Sequence, residues 1–473
     1  MARWSGGRGL MDTTFDVRIH KILTYKGKRK TSYTVRWVVA GKPHRETFGT
    51  SALADSFRSE LVSATRRGEA FSVSTGRPVS HQSGASAINW YTFAVQFTDA
   101  QWRRTSGNNR KNVAKALMTA TVALLRTPLP SRFAPIDVRT ALREFAFNTN
   151  RRADAPPEVS LILRWVERNT ESMAAWEDPR RVDDVLHALA TKLDGSTAAP
   201  SSIKRNRRIL NVAVEYAVKH GTLRSNPLPK GRGTTPKTSS AVDKRSLINP
   251  DHAAGLLGWI WRRPRGGRRL HAFFATLYYT GPRPEEAVAM RVLDARLPNE
   301  GEEDQWGELL FHTAQPEVGK RWTDTGEVHE VRGLKGRAKH DTRVVPCRPA
   351  LTRILRDHIE AEGLKPGDLL FPGENGDILS GSVFRRAWRT ARKEVLLPEE
   401  FASPLGKRVY DLRHTCLTTW LNAGIPPAQV AEWAGNSVPV LLATYARCIS
   451  GQLKDHQKRI EAGGDLPDLT EER

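Results

Sequence analysis

Tyr410-Asp411-Leu412-Arg413-His414-Thr415 runs into an apolar helical stretch, Leu417 to Leu421. Ala434-Gly435-Asn436-Ser437-Val438 follows, and then Leu441-Leu442-Ala443-Thr444-Tyr445-Ala446-Arg447. A tyrosine on an apolar helix belongs to a core far more often than to a reaction, so Tyr445 says little by itself. Two segments upstream change its weight. Leu334-Lys335-Gly336-Arg337-Ala338-Lys339-His340-Asp341-Thr342-Arg343-Val344-Val345-Pro346 has the pattern of a basic β-hairpin, with Lys335 delivered by its first strand and the second beginning near Thr342. Such a hairpin is often only a guarded sheet edge. Tyr279-Thr280-Gly281-Pro282-Arg283-Pro284-Glu285-Glu286 ends one helix at a Gly-Pro turn and starts another with Pro-Glu-Glu. Arg283 is the odd residue there, because a helix N-terminus disfavours a cation unless it faces an anion.

Composition bounds what these segments can serve. The 473 residues carry 74 Lys and Arg against 51 Asp and Glu, a net charge of +23. Spread along the chain, that surplus points to a polyanion, most economically nucleic acid. A 39% apolar fraction supports real cores and excludes wholesale disorder. Cys347, Cys416 and Cys448 form no CxxC pair, which excludes a disulfide framework and a cysteine zinc site. No apolar run is long enough to span a membrane, and the opening residues lack the apolar core of a signal peptide. The length suggests about three domains. Alternation from Phe15 to Phe48 predicts about three antiparallel strands, and a helix is expected over 51–67 with Leu53, Phe57, Leu61 and Ala64 on its apolar face. Residues 72–86 read as a linker. A helical block over 87–228 includes helices at 90–102, 108–125 and 203–220. The last opens with Lys204, Arg205, Arg207 and Arg208, cations at a helix start that suit a phosphate partner better than solvent alone. A second, basic linker spans 228–246, and the tail after Gly463 is short and acidic.

In order, these segments resemble the tyrosine recombinase (phage-type integrase) family: Arg, Lys, an x-x-x-Arg box, a Gly-x-Ser element and Tyr. The likeness covers roughly Leu247 to Ile449, and its wording is most like integrases of actinobacterial mobile elements. Neither a Walker A loop nor an HExxH helix competes. The resemblance implies a multidomain, mainly α protein. Its parts would be a small α+β arm-type DNA-binding domain (12–71), an all-α core-binding domain (87–228), and a mostly helical catalytic domain with a short antiparallel sheet (247–455). It implies Arg283 and Arg413 as the catalytic arginines, Lys335 as the hairpin lysine with Lys339 as an alternative, and Tyr445 as nucleophile. Tyr410 and Asn436 fall where the family usually carries His, or at the second position His or Trp. His414 also fits the pattern, with a weaker claim to direct chemistry.

The chemistry accounts for such a set. Attack on a phosphodiester loads charge onto the non-bridging oxygens, which two guanidinium forks grip better than lysine does. A tyrosine with an ordinary pKa near 10 needs help to lose its proton, and the departing 5′-oxygen needs one, which Lys335 can donate. A 3′-phosphotyrosine keeps the bond energy, so no ATP, metal or other cofactor is expected. Tyr410 does not titrate near neutrality and Asn436 is neither acid nor base, so both would act by hydrogen bonding. The implied function is site-specific integration of a mobile element. Its partners would be double-stranded attachment-site DNA, a tetramer assembled on it, and an excisionase or host DNA-bending protein. The implied place is the cytoplasm, on the nucleoid. A type IB topoisomerase-like enzyme and a catalytically lapsed DNA-binding relative are the rival readings.

Overall fold

The computed structural model describes residues 13–27, 31–78, 88–230, 241–299, 301–302, 304–336, 338, 341–448 and 457–458. The opening MARWSGGRGL, most of both linkers, Lys339 and the acidic tail lie outside them, as do 449–455 at the end of the expected catalytic domain. The chain divides into two compact units, Met1–Lys237 and Thr238–Arg473. It is mainly α-helical with small antiparallel sheets. Among the described residues no helix is long and apolar enough to cross a membrane.

The first unit opens with β1 (Thr13–Thr14), β2 (Val17–Ile19), β3 (Leu23–Lys26), β4 (Thr31–Val39) and β5 (Lys42–Phe48), followed by α1 (Ser51–Arg66) and β6 (Phe71–Ser72). Strand β4 organises the sheet: β2 and β3 pair with its two ends on one edge and β5 with the other. Its alternation buries Val35, Trp37 and Val39 against Ala54, Phe57, Leu61 and Ala64 of α1. Leu53, expected on that face, is 57% exposed, and Ala54 takes its place. The helix is set by Thr50, whose hydroxyl caps Leu53 N, and this turns Leu53 outward. The expected linker also starts too early. Ser72 lies in β6, paired with β1, and the indole of Trp37 donates to Gly76 O.

The helical part of this unit contains α2 (Trp90–Trp102), α3 (Gly107–Ala123), α4 (Pro135–Ala141), α5 (Pro157–Asn169), α6 (Pro179–Ala190) and α7 (Pro200–Lys219). Trp90 and Trp176 stack obliquely at 4.9 Å in its core. Helix α7 starts three residues before the expected Ile203, because Pro200 is suited to a first helical turn. Its buried face, Ile209, Leu210, Ala213, Val214 and Ala217, is the predicted one.

The second unit is built around α9 (Gly267–Thr280), which follows α8 (Pro250–Trp261) and is buried nearly all round. Phe273 and Phe274 of α9 meet Phe371 and Trp388. The short α10 (Pro284–Ala287) comes next, then β7 (Ala295–Arg296), β8 (Gly307–Phe311), β9 (Thr313–Ala314), β10 (Arg332–Gly333) and β11 (Arg343–Cys347). The remaining helices are α11 (Pro349–Glu362), α12 (Gly381–Val395), α13 (Pro398–Ala402), α14 (Asp411–Asn422), α15 (Pro427–Ala434) and α16 (Val438–Tyr445). The expected hairpin is not a simple one. Strand β10 pairs with β9, while β11 pairs with β8 in a separate sheet, so the two strands are not each other's partners. The polar run between them has no alternating apolar residues to hold a strand. A second small core joins Cys416, Leu417 and Leu421 of α14 to Val430, Ala431 and Ala434 of α15 and to Leu441 and Tyr445 of α16.

Candidate active site

Five helix ends of the second unit converge. Arg283 precedes α10, where Glu286 reaches back to accept from Arg283 N at 2.9 Å. The same carboxylate accepts from Arg283 Nη1 at 2.7 Å. Its two oxygens also accept from Arg343 Nη2 at 2.7 Å and Nη1 at 3.3 Å. Glu286 and Arg343 have side chains 1% and 0% exposed, so Arg343 exists as a buried charge through Glu286, and Glu286 through Arg343 together with Arg283. Burial alone would push the Glu286 carboxyl up. Arg343, Arg283 and Arg413 outweigh that and hold it at about 2. Burial likewise pulls Arg283 down, and Glu286 more than reverses it.

Arg413 lies in the first turn of α14, fully buried. Its Nη1 donates to Gly281 O at 2.6 Å and its Nη2 to Ala434 O at 2.7 Å. Those are the carbonyl ends of α9 and α15, where unpaired C=O groups and the helix dipole favour a cation. Gly281 (φ 58°) and Gly435 (φ 62°) end these helices in the left-handed region. Arg283 Nη2 donates to Gly435 O at 3.2 Å.

Asn436 completes the convergence. Its Oδ1 accepts from Arg283 Nη2 at 3.2 Å and lies 3.5 Å from Arg413 Nη2. Guanidinium only donates, so the amide oxygen must be the atom that faces the two arginines. Asn436 is not the cap of α16; that position is Ser437, which makes no side-chain capping bond.

Tyr445, 2% exposed, sits at the last position of α16. Burial pushes its hydroxyl well above the ordinary tyrosine range, against the pull of Arg413 and Arg283. His414 Nδ1 lies 2.9 Å from Tyr445 Oη. The ring of Tyr410 meets His414 edge-on at 5.1 Å. Burial lowers His414 to about 4, with Arg408 and Arg413 in the same direction and Asp411 opposed. His414 also lines an open cleft of about 420 Å³ with Asp243, Lys407, Arg408 and Asp411.

Of the residues singled out in the sequence, Arg283, Arg413, Asn436, Tyr410 and Tyr445 thus come together. Lys335 stands exposed on the turn after β10, with none of these contacts. Glu286 and Arg343 were not singled out, and His414 was ranked below Tyr410 and Asn436. Arg343 had a signal, because alternation along β11 puts it on the buried face with Val345 and Cys347. Lys204, Arg205, Arg207 and Arg208 lie in the first unit, past the first turn of α7 rather than at its start. The dipole therefore says little about them. Arg205 reaches Asn112 Oδ1 at 3.3 Å and Arg207 reaches Pro229 O at 2.9 Å, and Lys204, Arg205 and Arg208 are exposed. A second basic surface lies on the outer face of the N-terminal sheet, where exposed Arg36 and Arg45 sit directly opposite each other.

No protein-family model matches the chain, and no curated protein matches it. Among solved structures, the chain is similar to the integrase of the Tn1549 transposon in complex with a circular intermediate DNA. The identity is 16% and the TM-score 0.47, over 68% of this chain and 99% of that one. It is similar to the XerH site-specific recombinase bound to its difH substrate at 13% identity and TM-score 0.44, over 76% of this chain and 96% of that one. It is also similar to a lambda integrase tetramer bound to a Holliday junction at 14% identity and TM-score 0.42, over 88% of this chain and 95% of that one.

Proposed function

We propose that the chain is a site-specific DNA recombinase that cuts and rejoins DNA through a phosphotyrosyl intermediate on Tyr445. The observation that carries this is the convergence of two guanidiniums, from Arg283 and Arg413, on one acceptor oxygen beside a buried tyrosine hydroxyl. The acceptor in the free chain is Asn436 Oδ1. On DNA it is a non-bridging oxygen of the scissile phosphate, and the Asn436 amide turns to present its N–H₂ group instead. Both arginines are held by carbonyls or a carboxylate before any substrate arrives, so little reorganisation opposes charge stabilisation in the transition state. Tyr445 Oη bonds to phosphorus, the P–O5′ bond breaks, and the 5′-oxygen leaves with a proton for which Lys335 is the assigned donor. Attack by a new 5′-hydroxyl reverses the sequence without ATP or metal.

The rest of the reading extends to the first unit. Its arm-type domain offers Arg36 and Arg45, like charges held face to face at a cost that a polyanion removes. Its helical domain offers Lys204, Arg205, Arg207 and Arg208. Paired attachment sites, a tetramer on DNA and integration of a mobile element complete the proposal. The test is a nicked suicide duplex carrying candidate attachment sequences. We expect a covalent adduct mapped to Tyr445 that survives denaturation, and none from Tyr445→Phe, which still binds DNA. An adduct on the Phe variant would sink the assignment, as would its absence from the wild type.

A further inference from the structure

We propose that His414 is the proton acceptor for Tyr445, with Nδ1 placed 2.9 Å from Oη on the side of the ring shared by α14 and α16. The assignment rests on the strand-cleavage reading above. Among the residues singled out in the sequence, Tyr410 occupies the position where a histidine would be expected to move protons, and a phenol cannot do so near neutrality. The neighbouring histidine can. Its ring is neutral in the free chain, and in the tautomer that carries the proton on Nε2 the Nδ1 atom accepts the Tyr445 O–H. The groups that face it are Asp411 and Arg413 from its own helix, Tyr410 capping that helix, Lys407 and Arg408 from the turn before, Asp243 across the cleft, and Tyr445. When DNA arrives, the phosphate adds negative charge beside this ring and raises its basicity. As the Oη–P bond forms and P–O5′ breaks, the Oη proton moves to Nδ1, giving imidazolium. In rejoining, the imidazolium returns that proton to the departing tyrosine. Because His414 also lines the open cleft, the proton has a path to solvent.

His414→Asn separates taking a proton from holding the tyrosine. The Asn oxygen can accept the same hydrogen bond near the Nδ1 position but cannot be protonated there. Single-turnover cleavage of the suicide duplex by His414→Asn should fall about 10²- to 10⁴-fold near neutral pH. Its rate should then climb with pH as phenolate forms, about tenfold per unit, while the wild-type rate stays nearly flat from about pH 6 to about pH 9. Duplex binding should be unchanged, and added imidazole should restore part of the rate of His414→Ala. An Asn variant that cleaves at the wild-type rate overturns the proposal. So does one whose deficit is the same at every pH, since that is the behaviour of a residue that only positions Tyr445. Failure of the wild type to form a Tyr445 adduct overturns the strand-cleavage reading and this assignment together. A normal wild-type adduct with an unimpaired Asn variant overturns this assignment alone.

Discussion

Glu286 governs the arginine side of the site through charge. Held at about 2 against 4.5 for an ordinary glutamate, its ionised form favours folding over its protonated form by about 3 kcal/mol. The sign follows from the depressed pKa: the contribution is complete above the unfolded value and is lost as pH falls through the folded one. Glu286→Gln should therefore lower stability by roughly 3 kcal/mol at neutral pH, leaving Arg343 buried without its counter-charge. Urea unfolding of both proteins near neutral pH and near pH 3 checks this, since the gap should narrow on acidification; a gap that does not change with pH would contradict it. On the proposed reading, Asn436 serves the reaction more than the fold. With Ser437 as the cap of α16, Asn436→Ala should cost little melting temperature. It should slow cleavage roughly 10- to 100-fold, the value of one charge-assisted bond. Single-turnover rates beside thermal melts distinguish the two effects, and a destabilised variant with wild-type cleavage would remove Asn436 from the site.

At the level of elements, the site is made by helix ends. The carbonyl termini of α9 and α15 hold Arg413, and the turn after α15 also holds Arg283. This explains the demand for glycine at 435. A Cβ there would stand 2.6 Å from Arg343 Nη1, on a backbone already at φ 62°. Gly435→Ala should cost about 1–3 kcal/mol and displace Arg343 and Arg283 together. A melt and a cleavage assay on the same protein should both fall while duplex binding by the first unit persists; an unaffected cleavage rate would show that the arginines tolerate the shift. The helices were well marked in the sequence: α2 spans the predicted residues, and α1 and α7 differ at their ends by one to three residues. The strand pairing was less so. The β10–β11 segment reads as one hairpin along the chain, yet each strand finds its partner elsewhere, in β9 and β8.

Across the whole molecule, the excess of 23 positive charges is a statement about binding and its salt dependence, not about fold. Within the cationic run of α7, Lys204, Arg205 and Arg208 are all exposed, but Arg205 and Arg207 already donate to Asn112 and Pro229. The loss of phosphate contacts should concentrate accordingly. Replacing Lys204 and Arg208 by Ala should make the slope of log K against log [salt] shallower by about 0.9 for each contact removed. The Arg205 and Arg207 changes should do less. Titrations of duplex DNA over a salt series decide this, and an unchanged slope in the Lys204/Arg208 variant would mark the run as a solvated helix face.

The sequence by itself determined the helical character of the chain and its basic surface, because periodicity and charge are properties of neighbours along the backbone, whereas most members of the candidate site were implied by the family resemblance of its ordered motifs. That resemblance placed Arg283, Arg413 and Tyr445 in one plausible set. Only the tertiary structure decided how they meet. Arg343 and Glu286 lie 57 residues apart and pair through the register of β11 and the turn into α10. His414 and Tyr445, 31 residues apart, meet because α14 and α16 share a small core. Asn436 turns its oxygen inward because two donors from distant segments already occupy the space in front of it. Such pairings cost chain entropy that only the packed cores offset, so they have no local signature to be read in advance.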